Sequence, residues 1–143
     1  MYKRQGDNLA AVNATVNIQA GLVGDDAETA GSLVNISGGT IEDSFHAFNS
    51  EVNVTGGEVG NFFLAGSGSE VNISGGEVGT NFDAESGSVV NISGGEVGFS
   101  FDAFGGSVVS ISGGEVGSFF DAENGSEVNI SGCLLYTSPS PRD

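Results

Sequence analysis

Residues 6–132 contain no lysine and no arginine; the three basic residues of the chain, Lys3, Arg4 and Arg142, all sit in the terminal tails. Against them stand 19 acidic residues, for a formal charge of −16. Nucleic acids and anionic membranes are held by basic residues that displace counterions, so neither a nucleic-acid partner nor binding to an anionic surface is expected. No stretch is long and apolar enough to span a bilayer, so membrane insertion is not expected either. Proline occurs twice and cysteine once, at Cys133. A single cysteine cannot form an internal disulfide framework, and stability must come from packing.

What is abundant is glycine, 25 of 143 residues. Glycine-rich acidic chains are often disordered, but here Val, Ile and Phe recur at regular intervals, which disorder does not require. The phrase V-N-I-S-G-G begins at Val34, Val71 and Val90, and as V-S-I-S-G-G at Val109. Variants begin at Val16 and Val52, and a shortened copy begins at Val128. Successive starts lie 18, 18, 19, 19, 19 and 19 residues apart. The consensus is G-S-x-V-N-I-S-G-G-E-V-G-x-x-F-D-A-x-x, an internal repeat that chance does not produce.

Within the unit the apolar period is two. Val71 and Ile73 alternate with Asn72 and Ser74, Gly75-Gly76 marks a turn, and Val78 is closed off by Gly79. Phe82 and Ala84 then alternate with Asp83 and Glu85 before the turn at Ser86-Gly87-Ser88. Alternation bounded by glycine is the strand signature, and no helix of useful length fits inside the unit. Three short strands can bury an apolar side only by stacking on the next unit. The expected fold is therefore all-β: a parallel β-solenoid (β-helix) with three short strands per coil, a period of about 19 residues and about six to seven coils. At roughly 4.8 Å per coil the rod would be on the order of 30 Å long.

Four inward columns follow from the alignment. Val34, Val52, Val71, Val90, Val109 and Val128 form one, and Ile36, Val54, Ile73, Ile92, Ile111 and Ile130 a second. Phe45, Phe63, Phe82, Phe101 and Phe120 form the third, with Ala47, Ala65, Ala84, Ala103 and Ala122 beside them. Phe48, Phe62, Phe99, Phe104 and Phe119 fall off that column and are expected to be partly exposed.

The outward positions carry the candidate chemistry. Asn35, Asn53, Asn72, Asn91 and Asn129 form a ladder, interrupted by Ser110, next to a row of Ser and Thr. Inter-coil hydrogen bonding is its simplest role; an ordered-water or ice-binding face and N-glycosylation are the alternatives. Glu58, Glu77, Glu96 and Glu115 share one position, Asp83, Asp102 and Asp121 another, and Glu51, Glu70 and Glu127 a third. Like charges about 5 Å apart repel by nearly 1 kcal/mol per pair in water, and no basic residue is near to relieve them. Two readings compete: weak Ca²⁺ binding along the Glu58–Glu115 and Asp83–Asp121 ladders, or plain screening by salt, with charge keeping rods apart. No cofactor is required under either reading. The glycine-rich Ca²⁺ nonapeptide pattern G-G-x-G-x-D does not fit the spacing of Gly75-Gly76-Glu77-Val78-Gly79 and Asp83.

Catalytic residues are scarce. His46 is the sole histidine and replaces the Asp of other coils, which places it on the surface. Asp25-Asp26 reads as a turn, because adjacent strand residues face opposite ways and could not act as a carboxylate pair. No catalytic residue is assigned. Pectin-degrading β-helix enzymes are similar in architecture, but their sites use basic residues that these coils lack.

The unit G-S-x-V-N-I-S-G-G-E-V-G-x-x-F-D-A resembles the repeats of large secreted bacterial surface proteins of the kind found in marine planctomycetes. That resemblance covers nearly all of residues 6–132 and implies an extracellular or cell-surface rod within a longer chain that carries anchoring or adhesive domains. A glycan or cell-surface partner would fit such a rod. The termini resemble something else. Met1-Tyr2-Lys3-Arg4-Gln5 and residues 133–143, C-L-L-Y-T-S-P-S-P-R-D, are similar to translated sequencing-library adapter. Residues 1–5 and 133–143 are therefore set aside as adapter-derived tails. Gly6-Asp7-Asn8-Leu9-Ala10-Ala11 then enters in mid-coil, where G-x-x-F-D-A belongs, and Cys133 is neither a disulfide partner nor a reactive thiol. Open coils at both ends of the fragment would favour end-to-end self-association.

Overall fold

The structure, a computed structural model, describes residues 9–132 and the paired backbone of Leu134–Leu135. All regular elements among the described residues are strands. They form three parallel sheets of seven strands, in each of which every strand pairs with the equivalent strand of the neighbouring coil. The chain is a parallel β-solenoid of about six turns. One coil is representative: Glu70–Ile73 lies in the first sheet, Glu77–Val78 in the second and Phe82–Ala84 in the third.

Register is like to like. Val71 pairs with Val52 and Val90, and Asn72 with Asn53 and Asn91. Phe82 pairs with Phe101, and Glu77 with Glu58 and Glu96. A strand buried on one face fixes its register strongly, because a one-residue slip would turn Val and Ile outward and Asn inward. The four expected columns line the core. Phe45, Phe63, Phe82 and Phe101 are fully buried, and the five rings from Phe45 to Phe120 stack with centroids 4.6, 4.7, 4.9 and 5.0 Å apart. Each buried Phe side chain contributes about 1.5–3 kcal/mol from area alone. Leu9 and Ala11 continue the Phe and Ala columns at the entering half-coil, as Ala10 pairs with Glu28 and Ala11 with Thr29. At the other end Val128 and Phe120 are half-buried, while Ala122 and Ile130 are exposed.

Two parts of the interior lie outside the four columns. The second sheet supplies a fifth, made of Val23, Ile41, Val59, Val78, Val97 and Val116, all buried. The turn before each long strand supplies a buried polar row: Ser32, Ser50, Ser69, Ser88 and Ser107. Their hydroxyls donate to main-chain carbonyls, Ser88 Oγ to Glu85 O at 2.6 Å and Ser107 Oγ to Phe104 O at 2.7 Å within the turn, and Ser69 Oγ to Ala47 O of the preceding coil at 2.6 Å. In a shorter coil Ser50 Oγ reaches Phe48 O, two residues back, at 2.8 Å. The loop thereby absorbs the missing residue without shifting the strands on either side.

Close stacking also explains the glycine pairs. A Cβ on Gly75 would stand 2.5 Å from Thr55 O of the preceding coil, and Gly76 has φ +76°. Leu134–Leu135, in the tail set aside on sequence grounds, pairs in parallel with Glu115–Val116, so the second sheet runs past residue 132. The remaining tail residues, including Cys133, lie outside the described residues.

Candidate functional site

The outer surface is a set of ladders whose spacing is the coil spacing. On the first sheet the Asn row is hydrogen-bonded from coil to coil. Asn35 Nδ2 donates to Asn17 Oδ1 at 2.9 Å, Asn53 to Asn35 at 3.1 Å, Asn72 to Asn53 at 3.0 Å and Asn91 to Asn72 at 2.9 Å. It ends at Ser110, which pairs in register with Asn91 and Asn129. The second amide hydrogen turns to the neighbouring carboxylates: Asn53 Nδ2 to Glu51 Oε1 at 3.0 Å and Asn129 Nδ2 to Glu127 Oε1 at 3.1 Å. Glu51, Glu70 and Glu127 do not make one continuous row, because Val89 and Val108 separate Glu70 from Glu127.

The second sheet holds Glu58, Glu77, Glu96 and Glu115 in unbroken register. Two residues beyond each of them is a glycine (Gly60, Gly79, Gly98 and Gly117), so no side-chain donor is available where Asn serves Glu51. On the third sheet Asp83, Asp102 and Asp121 are aligned. Burial, then the carboxylate of Asp102, then Glu85, raise the Asp83 pKa above its ordinary value. Burial, then Asp121, then Glu123, do the same for Asp102. Toward the N-terminus that row continues through Leu64, His46 and Glu28. His46 stands on the outer face with its ring edge-on to Phe48, centroids 6.3 Å apart.

The glutamate and aspartate ladders lie on different sheets, one carboxylate per coil in each. Among the described residues no three His, Cys, Asp or Glu side chains converge to hold a metal ion. The expected Ca²⁺ ladders are rows of single carboxylates at the coil spacing, an arrangement that concentrates cations by charge.

Sequence reasoning found the ladders but not the corner between the second and third sheets. There a left-handed residue precedes each core Phe: Ser44, Phe62, Asn81, Ser100 and Phe119, with φ between 58° and 66°. The preceding residue carries a polar ladder. Asp43 N donates to Asp25 Oδ1, Asn61 N to Asp43 Oδ1 at 2.8 Å and Thr80 N to Asn61 Oδ1 at 2.9 Å. The last of these bonds is made by Thr80, and Phe99 in the next coil has no side-chain oxygen to continue the row toward Ser118. Phe62 and Phe99 are 54% exposed and Phe119 64%. A groove of about 390 Å³ is lined by Glu96, Gly98, Phe99, Glu115, Ser118 and Phe119, among others. Comparison of the chain with known protein families, curated proteins and solved structures found no match.

Proposed function

We propose that this solenoid is a non-enzymatic structural or adhesive segment of a bacterial extracellular or cell-surface protein. The observation that carries the reading is the interchangeability of the coils. Val, Asn, Ile, Glu and Phe each pair with their own kind through several turns. A catalytic centre needs a unique constellation, whereas a spacer needs the same unit many times. The ladder neighbours of His46 are Glu28 and Leu64, neither of them a nucleophile. High negative charge suits a rod that must stay soluble and apart from its copies in a saline medium. End-to-end stacking of coils would extend such a rod.

A second reading, a cation-binding solenoid, is favoured by the uncompensated row from Glu58 to Glu115. Thermal unfolding in millimolar CaCl₂ against NaCl of equal ionic strength separates the two. Equal shifts are expected of a scaffold that only needs screening. A rise specific to Ca²⁺ would replace that reading with the second. Antibody labelling of intact cells expressing the full-length gene tests the location; label that appears only after lysis would overturn it.

A further inference from the structure

Two exposed rings from neighbouring coils, Phe99 and Phe119, stand at the corner between the second and third sheets. The left-handed position holds Asp26, Ser44, Asn81 or Ser100 in four coils, residues that are small or accept this conformation readily, but Phe62 adopts φ 60° and Phe119 φ 63° there. A bulky side chain in that region is an outlier that costs stability. One coil earlier Phe99 stands where Asp43, Asn61 and Thr80 form the polar ladder, and the ladder ends. Phe99 and Phe119 each put an exposed ring on the same groove, whose lining also includes Glu96 and Glu115.

Among the described residues those two carboxylates have no countercharge, since residues 9–132 contain no Lys or Arg. The groove thus combines aromatic faces with unpaired negative charge one coil apart. A guanidinium group matches both, accepting the ring face through its π-plane and the carboxylate through its N–H fork. A second copy of this chain brings more negative charge and does not fit. We propose that the groove between Glu96–Glu115 and Phe99–Phe119 receives arginine side chains of a basic partner protein. The proposal goes beyond the scaffold reading and does not depend on it.

The test titrates a fluorescent glycine-spaced three-arginine peptide, and its three-lysine counterpart, into the intact chain by anisotropy at low and physiological salt. Phe99→Thr/Phe119→Asn installs the residues that Thr80 and Asn81 place at these two positions in an earlier coil and leaves net charge unchanged, so circular dichroism and melting should match or exceed the parent. Its affinity for the arginine peptide should fall about fivefold or more, as expected for two lost cation–π contacts. Glu96→Gln/Glu115→Gln should weaken binding and flatten its salt dependence, while Glu51→Gln/Glu70→Gln, with the same charge change, should leave it within about twofold of the parent. Equal binding by the phenylalanine variant and the parent overturns the proposal. So does equal loss in the two glutamine pairs, which would mean bulk attraction only. Binding of a neutral oligosaccharide at these rings, with none of the arginine peptide, would assign the groove to a glycan instead.

Discussion

Phe82 and Phe101 lie one coil apart with ring centroids 4.6 Å apart and planes within 12° of parallel, both fully buried. Each ring is at once core for its own coil and floor for the next. Phe82→Ala should therefore cost about 3–5 kcal/mol, removing one ring and uncovering two others. The equivalent change at Phe120, half-buried in the last coil, should cost markedly less. Urea unfolding of the two variants checks the order; equal losses would show that the stack does not carry the core.

The asparagine row offers a gain and a loss at known places. Asn72 donates to Asn53 and accepts from Asn91, so Asn72→Ala should cost about 1–2 kcal/mol. Ser110→Asn would fill the gap between Asn91 and Asn129 and should stabilise by about 0.5–1 kcal/mol. Denaturation midpoints of both variants read the two effects directly.

Thr29 occupies the alanine column between Ala11 and Ala47, fully buried, and its Oγ1 has no hydrogen-bond partner. Thr29→Val keeps the volume and removes the unmet hydroxyl. A gain of about 1 kcal/mol in unfolding free energy is expected, measured in urea. A loss would mean that the hydroxyl is satisfied in solution.

Acid should strengthen this solenoid over part of its range. Asp83 and Asp102 hold protons more tightly folded than at the ordinary value of 3.8, through burial first and neighbouring carboxylates second. The folded state then binds more protons than the unfolded one between 3.8 and the raised values, so stability falls as pH rises through that window. The melting temperature should climb as pH is lowered from neutral into the carboxylate range. Asp83→Asn/Asp102→Asn should raise the neutral value and flatten the profile.

The parts of this architecture that could be read from the residues are those that alternate. Val71 and Ile73 against Asn72, and Phe82 and Ala84 against Asp83, announce which side is inward, and the structure places them so. Val78 does not alternate with anything, since it sits between Glu77 and Gly79, and no pattern marks its buried column. Ser88 lies beside Gly87 in a turn, where serine ordinarily meets solvent; here the turn folds inward and its hydroxyl bonds back to Glu85 O, three residues earlier. The corner was hidden for a different reason. A positive φ at Phe119 follows from coil geometry that residue type argues against, and no local pattern signals it.

The like-to-like register has a consequence for how such a chain changes over time. Because Asn72 meets the same surroundings above and below, excising or duplicating one whole unit rejoins every strand with an equivalent partner. The 18-residue and 19-residue spacings show that even the unit length is not rigid, since the Ser50 and Ser69 loops differ while the strands beside them stay aligned. Unequal recombination between repeats would thus alter reach in single-coil steps of roughly 4.8 Å. Rod length becomes a trait that selection can adjust without having to solve the folding problem again.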